Sequence, residues 1–304
     1  MSKKYSPAKA QTYPPADSPA RSPEVSCILY AILARESDWA VIFRSGPKRR
    51  VQLIRWNTKT DKFDHGQWLK HKVFERQADL SPCGDKLICM STYYRKADRE
   101  SHRHLGPILI VSRPPYFTAA ALINVSQSQD SGHFQTNKMI LIPQTACVAH
   151  PPSIKSKNVT HFDFMPNGKT FTEIEALKLA GWTVKYLDKQ IRFCFPLVAT
   201  KAFPNHSTYQ LQMEALRKQP NTNNRRYTLI NSETGKEDIL GELSWADIDK
   251  NNDLLFAKDG QLYRLKPHWK TAAPFDPAQA KLLYDFRPSQ FTELKAPSWA
   301  LEWD

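Results

Sequence analysis

No stretch of this 304-residue sequence approaches the roughly 20 consecutive apolar residues that a membrane-spanning helix requires. The opening segment, MSKKYSPAKAQTYPPADSPARSPE, has no apolar core of the kind a secretory signal carries. Five cysteines occur (Cys27, Cys83, Cys89, Cys147, Cys194), and no two form a C-x-x-C pair. Spacing therefore suggests neither a zinc knuckle nor a disulfide framework, and free thiols in a reducing compartment are expected. The frames of a phosphate-binding loop, a dinucleotide fold, a zinc protease, a nucleophile elbow and a calcium loop are missing as well. These absences lead to the expectation of a cytoplasmic protein without a membrane span, with no cofactor, no metal and no catalytic residue to name.

Acidic residues are the other shortage. Thirty Asp and Glu face 43 Lys and Arg, a formal charge of +13. Such an excess favours anionic partners, but it governs encounter and solubility rather than fold. Hydrophobic content of 41%, aromatic content of 11% and eight Trp are the values of a globular chain. The length suffices for one large β-domain or two ordinary domains.

Residues 1–24 hold Pro7, Pro14, Pro15, Pro19 and Pro23 among Ser, Ala and Lys, the composition of a flexible tail. From Val25 the pattern changes to short apolar runs separated by turn residues. VSCILYAIL (25–33), WAVIF (39–43) and RVQLIRW (50–56) are strand candidates, divided by RESD and SGPK. RYTLI (226–230), LLFA (254–257) and QLYRL (261–265) repeat that grammar, with Asp259-Gly260 as a tight-turn signal. LSWADIDKNND (243–253) reads as a link. FTEIEALKLAGW (171–182) has helical spacing with Gly181 placed to end it, and HSTYQLQMEALRKQPNTNN (206–224) reads as helical at most in its first half.

The two ends can be superposed. VQLIRWNTKTDKF laid on YTLINSETGKEDI pairs Leu53 with Leu229 and Ile54 with Ile230. Asp79-Leu80-Ser81-Pro82-Cys83-Gly84 matches Asp247-Ile248-Asp249-Lys250-Asn251-Asn252. Gly84 and Asn252 thereby fall where a left-handed backbone is tolerated. Asp163 offers a third copy at the same 84-residue interval, about twice the length of a propeller blade. The segments around Asp79, SRPPYFTAAAL (112–122) and LSWADIDKNNDLLFAKDGQLYRL resemble a widespread family of uncharacterised, mostly bacterial proteins. The Asp-Leu-Ser-Pro-x-Gly turn is similar to WD40-like and TolB-like β-propeller repeats. The resemblance implies β-repeat architecture and carries no catalytic residue. The expected organisation is thus a tail over 1–24 and a mainly β, propeller-like repeat domain over 25–304, with a small α-containing insertion at 171–220.

Polar residues in apolar surroundings mark two candidate sites. Trp68, Glu75, Arg76, Asp79, Arg113 and Tyr116 compose a ligand or anion pocket, or else an Arg–carboxylate network that joins neighbouring β-units. Arg44, Lys48, Arg49, Arg50 and Arg55 line a basic hairpin with Trp39 and Trp56 interleaved, a pattern suited to single-stranded nucleic acid. Alternation would turn the tryptophans inward and leave the cations outside. The His102/His104 pair and the Asp130-Ser131-Gly132-His133 run read as polar loops. The expected function is a non-enzymatic binding or scaffold protein with a protein partner. The alternatives are nucleic-acid or other polyanion binding through 44–55, and an enzyme with a pocket near Arg76 and Arg113.

Overall fold

The computed structural model describes residues 27–46, 50–92, 106–126, 131–150, 161–166, 169, 171–186, 197–215, 225–269 and 274–302. The expected tail, Lys48, Arg49, Asp130 and the His102/His104 pair lie outside them. The described chain is mainly β. β1 (Ile28–Leu33), β2 (Trp39–Ser45), β3 (Val51–Asn57) and β4 (Lys62–Leu69) form an antiparallel meander, the first sheet. β5 (Lys72–Val73), β6 (Asp79–Leu80), β7 (Leu87–Thr92), β8 (Ile108–Ser112) and β9 (Ala119–Asn124) build the second. The chain then makes β10 (His133–Thr136) and β11 (Met139–Ile142), returns to the second sheet as β12 (Cys147–His150), and adds β13 (His161–Phe164) parallel to β11, which completes the third sheet. Helix α1 (Glu173–Leu179) leads into the fourth sheet: β14 (Thr183–Tyr186), β15 (Leu197–Phe203), β16 (His206–Ala215), β17 (Arg225–Asn231) and β18 (Glu237–Leu243). β19 (Trp245–Ile248), β20 (Leu254–Lys258), β21 (Gln261–Leu265) and β22 (Lys281–Asp285) make the fifth.

Four apolar clusters join particular pairs of sheets. Phe43, Leu53, Leu80 and Leu87 pack the first sheet on the second; Ile88, Leu109, Phe134 and Ile140 pack the second on the third. Leu211, Tyr227, Ile248 and Leu254 join the fourth and fifth, with Ile174 of α1 in the same cluster. Leu29, Ile42 and Trp56 then meet Trp245, Leu255 and Phe286, so the last sheet packs on the first. Trp56 is fully buried there and stacks on Phe63 at 5.8 Å.

Three expectations need correction. Among the described residues of the expected α-containing insertion at 171–220, α-helix is confined to the two turns of α1; 206–215 is the long strand β16, because Leu211, Met213 and Ala215 recur at period two and face the core. Asp163 is not a third copy: it stands on β13 with an exposed side chain, while Asp79 is buried on β6. The superposition of the two β-hairpins is also shifted by two residues. Asn57 and Asn231 are the true equivalents, each accepting two turn N–H groups, with Asp61 (φ 54°) and Gly235 (φ 69°) left-handed at the same place.

The Asp79 and Asp247 turns do correspond. Ser81 Oγ accepts the N–H groups of Asp85 and Lys86, and Asp249 Oδ1 accepts those of Asn251 and Asp253. Gly84 (φ 84°) and Asn252 (φ 61°) each donate their N–H back to the first turn carbonyl. A Cβ on Gly84 would also stand 2.6 Å from Cβ of Trp39, so both backbone and packing demand glycine.

Candidate functional site

β1 borders a small inner cavity of about 50 Å³, lined by Tyr30, Arg35, Arg76, Asp79, Tyr227 and Asp247. A wider cavity of about 370 Å³ shares Leu33, Arg35, Ala180 and Asp247 with it and adds Trp39, Thr58, Lys201 and Lys250. Its volume suits a small molecule. The C-terminal end of α1, at Ala180, touches both cavities.

The ionic groups here tie sheets together. Arg35 Nη1 donates to Asp79 Oδ1 at 2.8 Å and Nη2 to the Phe134 carbonyl at 2.9 Å; Asp79 Oδ2 accepts the Phe134 N–H at 2.7 Å. One carboxylate therefore joins the first, second and third sheets. Burial raises the Asp79 carboxyl above its ordinary range, and Arg35 opposes that rise. Lys201 Nζ donates to Asp247 Oδ1 at 2.6 Å, the matching link between the fourth and fifth sheets. Arg76 and Arg225 converge on Glu173 of α1 at 3.5 and 3.2 Å. Arg76 further donates to the Ser244 carbonyl and lies 5.0 Å from the Tyr30 ring centroid. Burial pushes the Glu75 carboxyl and the Tyr30 phenol up, and the Tyr227 phenol to about 12.

The expected pocket divides into two separate settings. Glu75, Arg76 and Asp79 belong to this inner region. Trp68, Arg113 and Tyr116 stand instead under the C-terminal segment: Trp68 packs on Phe291 (6.2 Å), Tyr116 on Trp299 (5.6 Å), and Arg113 Nε donates to the Glu302 carbonyl at 3.0 Å. Sequence separation could not show this, since Arg76 and Arg113 flank one sheet whose ends meet different neighbours.

The basic hairpin is likewise engaged internally. Arg44 is fully buried, contrary to the expected outward alternation: it donates to the carbonyls of Gly46, Phe286 and Arg287 and covers Trp68 at 5.2 Å. Arg50 lies over Phe291 at 4.8 Å; Arg55 stacks on Trp39 at 3.9 Å and bonds Asp85. Arg264 escaped notice in the sequence. It donates to Asp61, Asp249, Asp253 and the Thr58 carbonyl, closing the fifth sheet on the first. A recoverable signal did exist for the others, because Arg35 and Lys201 precede their aspartates by 44 and 46 residues. Among the described residues no three His, Cys, Asp or Glu side chains converge where a metal could sit, and no helix is long and apolar enough to cross a membrane.

No family model matches the chain, and no curated protein matches it. It is similar to an uncharacterized protein of Listeria monocytogenes (8% identity, TM-score 0.24, 82% of this chain against 64% of that one). It is also similar to a Bacteroides fragilis protein proposed to be a 6-phosphogluconolactonase (10%, TM-score 0.31, 87% against 98%). A third similar structure is the β-propeller domain of the Trilobed protease from Pyrococcus furiosus (10%, TM-score 0.25, 85% against 99%). The chain spans about two thirds of the length of the Listeria protein, and at these values the likenesses bring neither a family nor an activity to it.

Proposed function

We propose that this chain is a non-enzymatic, propeller-like binding protein of the reducing cytoplasm whose partner is another protein. The observation that carries this reading is the placement of its exposed apolar side chains. Leu282, Tyr284, Phe291, Leu294, Trp299 and Leu301 are each 36–53% exposed and lie within one short stretch of chain. Leu282 stands two residues before Tyr284 on β22, and four of the six follow β4 and the loop beside it: Tyr284 meets Phe63 and His65, the Leu294 carbonyl receives a bond from Gln67, Phe291 meets Trp68, and Trp299 meets Tyr116. Apolar surface gathered in this way is suited to a protein partner. The buried acids and bases support the same reading, being matched across sheet boundaries, and so do the cysteines Cys27, Cys83 and Cys89, which are free.

The test is capture from the native cell with the full chain and with Leu282→Asp plus Tyr284→Ser, two exposed side chains of β22 that lie outside the C-terminal segment. A stoichiometric protein partner retained by the first and lost by the second is expected. A partner retained equally by both overturns the reading. Recovery of nucleic acid alone, released by salt, favours the polyanion alternative instead.

A further inference from the structure

We propose that β4 and the loop 113–118 form a peptide-binding groove, that the chain's own C-terminal segment is its resident occupant, and that an extended partner peptide with the same spacing displaces it. This rests on the protein-partner reading and names the chemistry of the partner.

The junction of strand and loop in the groove has bonds of its own. Gln67 Oε1 accepts the N–H groups of Phe117 and Thr118 and the Thr118 hydroxyl, and the Gln67 N–H donates to the Pro115 carbonyl at 3.0 Å. Gly66 touches that same carbonyl so closely that any Cβ would stand 1.8 Å from it. These contacts lock strand to loop and leave Gln67 Nε2 directed at the tail, where it donates to the Leu294 carbonyl at 2.9 Å. Trp68 is fixed from behind by Arg44.

The tail occupies this surface as a bound peptide does. Residues 287–297 pair with no strand. Side chains capture the main chain at two carbonyls, Leu294 and Glu302, and aromatic rings anchor it at Phe291 and Trp299. The recognised pattern is therefore two aromatic rings eight residues apart, Phe291 and Trp299, with a main-chain carbonyl captured between them at 294 and Arg50 lying over the first ring. The anchors remain about half exposed, so they bury far less than core residues do, and replacement in trans is feasible.

The probe is a labelled peptide of residues 286–304, followed by fluorescence anisotropy on the full chain. In the variant Phe291→Ala plus Trp299→Ala the resident tail is weakened, and it should bind the peptide at least tenfold more tightly than the unmodified chain. Adding Gln67→Ala or Trp68→Ala should weaken that binding at least tenfold; two groove variants are used because Gln67 also holds the loop, and circular dichroism checks each fold. Equal binding by the tail variant and the unmodified chain overturns the inference. So does binding that ignores both groove substitutions. If the peptide fails while the Leu282/Tyr284 changes still abolish partner capture, the groove is rejected and the protein-binding reading stands.

Discussion

At the scale of single residues, several of the chain's cations are engaged inside it rather than at its surface. Arg35, Arg44, Lys201 and Arg264 each reach into a neighbouring sheet, so composition alone misjudges their availability to a polyanion. Asp79 is the partner that joins three sheets. Asp79→Ala would leave Arg35 without its carboxylate and the Phe134 N–H without an acceptor, and a loss of about 2–4 kcal/mol in chemical denaturation is expected. His133 offers a pH-dependent counterpart. It stacks on Phe171 at 4.6 Å, and its Nδ1 is buried without a hydrogen-bond partner. Burial, aided by Arg35, lowers its pKa to about 4. A base held below its unfolded value contributes stability that is complete above about pH 6.5 and lost as pH falls toward 4. His133→Phe keeps the stacked ring and removes the titration. The difference in stability between parent and variant should change by about 1–2 kcal/mol across that window, after allowance for partial solvent access. A His133 ring that titrates near 6.5 by NMR would refute this account.

At the scale of elements, legibility followed burial. β1, β2, β3, β17, β20 and β21 could be read as strands because buried apolar residues alternate or run through them. β4 and β18 were passed over, and both are largely exposed, with charged and polar residues where a core strand would be apolar. β16 was misread for a different reason: ten residues carry both a period-two set and enough helix formers to imitate a helix. Turns were more informative than strands, since Gly84 and Asn252 were placed correctly by their backbone needs alone. That equivalence can be tested at Asn252, whose Oδ1 also accepts the Asn205 N–H at 3.0 Å. Asn252→Gly loses only this bond, about 1 kcal/mol, whereas Asn252→Ala also replaces a residue that tolerates the left-handed region by one that does not, about 2 kcal/mol in all. Equal losses for the two in urea melts would mean that the turn geometry is not what Asn252 supplies.

At the scale of the whole molecule, the candidate site was legible only as a list of residue types. Placing Arg76 and Arg113 in one pocket required knowing which sheet faces which, and that depends on contacts across long sequence separations. The junction of the fifth sheet with the first is the extreme case. Arg264 bonds Asp61 and the Thr58 carbonyl, more than 200 residues away, and Arg44 bonds the Phe286 carbonyl across 242. Trp56, Leu255 and Phe286 fill the space between the two sheets. Such a junction forms late, because the chain must order its intervening sheets before the ends meet. Arg264→Met removes the cation from three carboxylates, Asp61, Asp249 and Asp253, and should cost about 3–5 kcal/mol. The loss should be distributed unevenly. Native-state hydrogen exchange should accelerate together in β1–β3 and β20–β21, the strands on the two sides of the junction. β7–β9, whose contacts are with the third sheet and with the opposite face of the first, should keep most of their protection. Uniform acceleration through all five sheets would show that the body opens as one cooperative unit, and the junction would then be one contact among many rather than the closure on which the first and last sheets depend.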